Sequence, residues 1–534
     1  VNAWGLTHSP FLVVWCAALC TAGCARPSIA PAVTTSTTLP KSAPGLRSVV
    51  EQRVEARGIT YVFRASRLTN LAWQLDCLAG FGGCSLPAYE ALWQDHLQAE
   101  PELKAALSGW GELRRQLRGP VGDRQESQSL LPVPQPKADL WQRVRLASII
   151  ADDPALYATA LYALTDTRST DALGAVLARF DRAFSTIWAQ ALPVLERAMA
   201  EQADLQRRDE VALTVQRVVT FYGGSLGTPP TMRFDLLYRP EHPSADFATQ
   251  LLDHGLIEVV ASAKPELRIQ PPVHEMFHYL FASAGFPKLD ELASEFAASP
   301  DPNALAAYGL LDEVLATGLA QGVLGGEVAP VELQARLATP RRLYDDRFID
   351  TVTKAFLPEL SALLQQPVAG GTVFSPEFRT AYLAAVKRAF PRGVPPAAEL
   401  RPLACTYSKD LQRAYDALRV ASGSQIVGSS DQPDTEDSRS LVEDHTTWGR
   451  VLLLKTSELD VLHRYAKSLP NTEPLLRAAG RNTRFAYATR AAASGPVFVL
   501  VAEDAEQAQK LVAEFIGLES PFEGLALTNP HSGG

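Results

Sequence analysis

Residues 271–281 read PPVHEMFHYLF, and the reading of this stretch decides the fold. Pro271 and Pro272 fit the first turn of a helix and Gly285 supplies a stop, so the run predicts one helix of about 13 residues. At about 100° per residue, positions four apart fall about 40° from each other, which puts the imidazoles of His274 and His278 on one face with Glu275 beside them. The remaining side chains, Met276, Phe277, Tyr279, Leu280, Phe281 and Ala282, are apolar on nearly every side, as in a helix inside a core. Two imidazoles and a carboxylate are costly in such a place unless something binds them, and a divalent cation does.

The pentapeptide HEMFH, 274–278, resembles the HExxH motif of the zincin metallopeptidases, in which the two histidines bind zinc and the glutamate is the general base. A catalytic zinc needs a third protein ligand and one open position. No glycine and histidine follow at the metzincin spacing, so the resemblance implies the gluzincin arrangement, a glutamate from a later helix. The candidates are Glu291, Glu295 and Glu313. In KLDELASEFAAS, Leu289, Leu292 and Phe296 form the apolar stripe, leaving Glu291 and Glu295 to face water. Glu313 differs, because NALAAYGLLDEVLATGLAQGVL is apolar around its whole circumference and carries its only charges, Asp312 and Glu313, in mid-helix. Asp301 and Pro302 are expected to open that helix, and Gly325 to close it. Thr317 stands where thermolysin-like members carry an aspartate; Asp312 is the candidate partner for a ligand histidine, with capping or a salt bridge the other reading.

The resemblance implies zinc held by His274, His278 and Glu313, with Glu275 as general base in peptide-bond hydrolysis. It also makes GLIEVV, 255–260, the expected sheet edge for an extended peptide or protein substrate, and leaves Tyr308, Tyr344 and His254 as candidates to stabilise the oxyanion. The alternative is a non-catalytic envelope lipoprotein whose zincin-like scaffold serves as a binding module.

Working outward, TMRFDLLYRP alternates Met232, Phe234, Leu236 and Tyr238 against Arg233, Asp235 and Arg239, the period of a strand with one buried face, and HGLIEVVAS is a second strand. Residues 47–222 read as a mainly helical region, with apolar residues at three- and four-residue intervals. Residues 223–392 are then the zincin-like catalytic domain, and 393–446, with the polar run GSSDQPDTEDSRSLVEDHT, a connecting segment and linker. RVLLLKT, ELDVLHRYAKSL, RFAYATR, PVFVLVAED and AEQAQKLVAEFIGL make 447–534 a small α/β accessory domain without a nucleotide-binding glycine fingerprint. The fold class is therefore α+β and mostly helical. At 534 residues, 46% of them hydrophobic, the chain has material for more than one core. A net charge of −9 with no block of Lys/Arg argues against a nucleic-acid partner.

FLVVWCAALCTAGC has the length of a secretory apolar segment, not of a span. Its end resembles a bacterial lipoprotein signal, which implies a signal peptide over 1–23, lipidation of Cys24, a flexible tether over 24–46, and an exported protein attached by lipid at the envelope, at the outer membrane or in the periplasm. An ordinary cleaved secretion signal is the other reading. Cys77 and Cys84 end the Gly-rich CLAGFGGC, suited to a disulfide in an oxidising compartment or to two free thiols.

Overall fold

The computed structural model describes residues 47–81, 86–117, 131–134, 138–151, 153–240, 247–265, 268–366, 372–423, 427–465, 467–469, 472–491 and 494–530. The signal segment 1–23, Cys24, the tether 24–46 and Cys84 lie outside them. No described helix is long and apolar enough to cross a membrane. Cys77 is disulfide-bonded, and Cys405 is a buried free thiol.

The chain is α+β and mostly helical, with two sheets. The described residues open with a hairpin, β1 (Val49–Ala56) and β2 (Ile59–Ser66), inside the region read as mainly helical. Among the described residues seven helices follow: α1 (Arg67–Leu78), α2 (Leu86–Ala99), α3 (Pro101–Gln116), α4 (Leu140–Ile150), α5 (Pro154–Leu164), α6 (Thr167–Arg207) and α7 (Asp209–Tyr222). Proline fixes several of these breaks, since Pro101 and Pro154 can begin a helix but cannot continue one. Then come β3 (Thr231–Tyr238), β4 (Phe247–Leu251) and β5 (His254–Val259).

The first sheet has the order β1-β2-β3-β5-β4, parallel at β2-β3-β5 and antiparallel at each end. Two expectations are corrected here. The strand containing GLIEVV is interior and β4 is the edge, because the short strand 247–251 turns back and covers it. β3 is not half-exposed either: helices cover both faces of a parallel centre, so Asp235 is buried along with Met232, Phe234 and Leu236.

After β5 the chain is helical: α8 (Gln270–Ala282), α9 (Phe286–Ala297), α10 (Ala304–Thr317), a π-helix (Gly318–Leu324), α11 (Gly325–Val328), α12 (Pro330–Ala338), α13 (Arg347–Leu363) and α14 (Pro376–Ala389). The motif helix α8 spans the predicted length, while α10 starts two residues beyond Pro302 and continues as π-helix up to Gly325. Asp301 lies three residues ahead of its first residue and does not cap it, accepting instead the N–H of Asn303 at 2.9 Å.

The remaining elements are β6 (Leu403–Tyr407), α15 (Gln412–Ser422), β7 (Val427–Ser430), α16 (Glu436–Glu443), β8 (Gly449–Lys455), a 3-10 helix (Thr456–Tyr465), α17 (Glu473–Ala479), β9 (Asn482–Thr489), β10 (Val497–Ala502), α18 (Ala505–Gly517) and β11 (Gly524–Pro530). They form a second sheet, β11-β9-β10-β8-β6-β7, covered by helices. The polar run near 428–446 is therefore not a linker but strand β7 and helix α16. The hydroxyl of Ser438 donates to the Gln432 carbonyl and is hydrogen-bonded with the hydroxyl of Ser430, and Val442 is fully buried. The second sheet accordingly begins in the segment read as connecting, at Leu403.

The core of the first sheet and its helices sets α8 in place. Val273, Met276, Phe277, Leu280 and Phe281 are buried there, and the ring of Tyr222 at the end of α7 meets Phe281 at 5.6 Å and Phe277 at 6.3 Å. Each buried phenylalanine contributes roughly 1.5–3 kcal/mol. Gly255, in β5, faces the ring of Phe234 and the carbonyl of Pro272: a Cβ there would lie 3.0 Å from Phe234 Cδ1 and 3.6 Å from that oxygen. Close packing of strand and helix start thus fixes where the histidines point.

Candidate metal centre

His274 and His278 lie one turn apart on α8, with ring centroids 4.8 Å apart and Nε2 atoms 3.1 Å apart. Glu313 arrives from the middle of α10, placing Oε2 at 3.6 Å from His274 Nε2 and Oε1 at 3.7 Å from His278 Nε2. Three potential donors from two helices therefore converge within 4.8 Å of one another. Tetrahedral zinc holds nitrogen and oxygen donors at about 2.0–2.1 Å, which separates any two of them by about 3.3 Å. The two imidazole nitrogens are 3.1 Å apart, and each has a different oxygen of Glu313 within 3.7 Å, so a small closing of the carboxylate would bring one oxygen to that spacing. By donor type and spacing, the three side chains fit such an ion.

His274 is buried, whereas the Glu313 and Asp312 side chains keep 24% and 37% of their exposure. One edge of the cluster consequently reaches solvent, on the carboxylate side. Asp312 faces Nδ1 of His278 at 2.9 Å and so orients the ring that points Nε2 inward. Thr317 makes no such contact: its hydroxyl is buried with no hydrogen-bond partner among the described residues. His274 Nδ1 also has none among them.

The electrostatics follow from crowding three acids around two imidazoles. Burial opposes a charge on His278, but the carboxylates of Asp312 and Glu313 outweigh it and raise its pKa to about 10. Burial likewise opposes ionisation of Glu313, and the charges of His278 and His274 with the hydrogen bond from Tyr344 overcome it, holding this carboxyl well below the usual range. Without a cation, the cluster is thus an imidazolium beside a carboxylate. Glu275 goes the other way: burial raises its pKa against the pull of the two histidines.

Tyr344 is the one oxyanion candidate that stands at the cluster. Its hydroxyl donates to Glu313 Oε2 at 2.9 Å and its ring stacks on His274 at 6.0 Å. Burial, then the Glu313 charge, push its phenol far up. Tyr308 donates instead to the carbonyl of Pro132, and His254 Nδ1 is engaged with Asp235 Oδ2 at 2.6 Å. Glu291 is exposed and Glu295 is ion-paired with Arg379, as expected of a solvated face.

Asp350 was not foreseen. It is buried on α13 and accepts the backbone N–H groups of Arg341, Leu343 and Tyr344 at 3.1, 3.0 and 3.3 Å, folding the loop that presents Tyr344. The charge-rich RRLYDDRFID contains the aspartate but no periodicity that distinguishes a loop organiser from a solvated acid. No protein-family model, no curated protein and no solved structure matches this chain.

Proposed function

We propose that this protein is a zinc-dependent peptidase with a zincin-like core, in which His274, His278 and Glu313 hold the ion. The observation that carries this reading is the convergence of Glu313 on the HExxH pair across 35 residues of chain, the donor set a zinc site of this kind uses gathered within 4.8 Å. Zinc supplies Lewis acidity that polarises a peptide carbonyl and acidifies water near neutral pH. Glu275, adjacent in sequence to His274 and raised in pKa by burial, would accept a proton on its carboxylate from the attacking water and pass it to the leaving nitrogen. Asp312 orients His278 through Nδ1, and Tyr344 orients Glu313 through Oε2. Tyr344 is also the hydroxyl placed to turn toward a developing oxyanion. Among the described residues β4, not β5, is the outer strand on this side of the sheet, where an extended peptide would add.

The test begins with zinc content. Purified protein is expected to hold one zinc per chain and to lose it when His274 and His278 are changed together to alanine. Full retention in that variant overturns the ligand assignment.

A further inference from the structure

The second sheet comes nearest to the helix that carries Glu313 at Arg401. Gly309 stands on α10 one turn before Glu313 and on the same face. A Cβ built on it would lie 2.8 Å from the carbonyl carbon of Arg401 and 2.9 Å from the Arg401 Cβ, so only glycine permits this approach. Arg401, just ahead of β6, is 6% exposed. Its guanidinium forms an ion pair with Asp346, and its Nε donates to the carbonyl of Ser422. Asp346 lies two residues after Tyr344 and caps α13, accepting the N–H groups of Phe348 and Ile349 at 2.8 and 3.1 Å. Gly423, at φ +60°, makes room for the guanidinium: a Cβ there would lie 3.0 Å from the Arg401 Cζ and 3.1 Å from Asp346 Oδ2.

Both elements that bring Glu313 and Tyr344 together thus abut the same arginine. Helix α10 meets its backbone and the Tyr344 loop meets its charge. A second tie lies at the start of α10, where Arg490 at the end of β9 donates to the Pro302 carbonyl at 3.2 Å and pairs with Glu399. A buried guanidinium stripped of its carboxylate, or the reverse, leaves an uncompensated charge, so this connection resists separation in a way that a surface pair does not.

We propose that Arg401 is a positioning residue that sets Glu313 and Tyr344 against His274 and His278, making the C-terminal sheet part of the frame of the metal centre. The proposal rests on the metal-binding reading above for its consequence, while the brace itself exists without the ion.

The experiment compares the full-length chain with R401A, R401K, E313A and R401A/E313A. Two measurements are made: amide hydrogen exchange in zinc-free protein, and the zinc dissociation constant. R401A is expected to raise exchange over 304–317 and 339–346 and to weaken zinc about tenfold, with R401K recovering part of both. In the E313A background the same change should weaken zinc no further, because the ligand it positions is gone. Unchanged exchange in both segments overturns the proposal. So does an equal zinc loss with and without Glu313, the mark of general destabilisation. If R401A does not fold by circular dichroism, R401K carries the same comparison. Should the unaltered protein bind no zinc, the metal reading falls and the exchange data alone decide on the brace.

Discussion

The hydroxyl of Tyr344 and the carboxylate of Glu313 are joined at 2.9 Å, and the oxygen that accepts this bond is the one facing His274. Glu313 is thereby held by a neighbour on its own side of the cluster, as Asp312 holds His278 on the other. Removing the hydroxyl in Tyr344→Phe keeps the ring stacked on His274 and frees one carboxylate oxygen. Zinc affinity should fall about tenfold, and isothermal titration of the variant measures it. Asp312→Asn should cost a similar factor of about 10–100 by letting the His278 ring turn.

Glu275→Gln separates chemistry from binding. The amide keeps the shape but cannot accept a proton, so zinc content should stay at one per chain while peptide cleavage falls by a factor of about 10²–10⁴. Undiminished cleavage would remove Glu275 from the mechanism. Equal inactivity of both proteins toward a broad peptide library would favour the binding-module reading.

Zinc and protons compete for His278. Its pKa of about 10 in the ion-free cluster means that it is protonated at neutral pH and must lose that proton to coordinate. Zinc affinity should therefore rise about tenfold per pH unit between roughly 6.5 and 9, with about one proton released per ion. Titration in buffers of different ionisation enthalpy counts that proton.

The zinc-free protein has the corresponding stability profile. His278 is raised from an ordinary 6.5 to about 10, so its contribution is complete below 6.5 and is lost as the pH climbs through 10. Glu313 is lowered from an ordinary 4.5, so its contribution is complete above 4.5 and is lost as the pH falls toward its depressed value. Urea midpoints should pass through a plateau between these limits, and the double alanine variant at His274 and His278 should lack the alkaline decline.

Phe277 packs α8 into the core against Tyr222. Its replacement by alanine should destabilise the protein by about 3–5 kcal/mol, read as a fall in the denaturant midpoint.

The parts legible in the sequence are those fixed by local spacing. The pairing of His274 with His278 follows from the helix period alone, and Glu313 is legible because it and Asp312 are charges in the middle of an otherwise apolar helix and demand partners. The hairpin over 49–66 was hidden by its turn. Arg57 and Gly58 both adopt positive φ, 48° and 78°, as a two-residue hairpin turn requires, but Arg-Gly lacks the Asn-Gly or Asp-Gly signature that announces one. β7 and α16 were hidden by composition, because hydroxyls satisfied by one another take the place of an apolar stripe. The Asp350 and Arg401 contacts are tertiary, and no periodicity encodes them.

The placement of β2 bears on how the protein can be divided. Residues 59–66 lie beside β3, from which more than 160 positions of chain separate them, so the sheet that carries the motif helix closes only when the amino-terminal hairpin returns to it. A fragment beginning at 223 would leave a central parallel strand with a row of bare amide and carbonyl groups along one side. Such a piece should precipitate or pair with itself, and a soluble fragment has to start ahead of Val49.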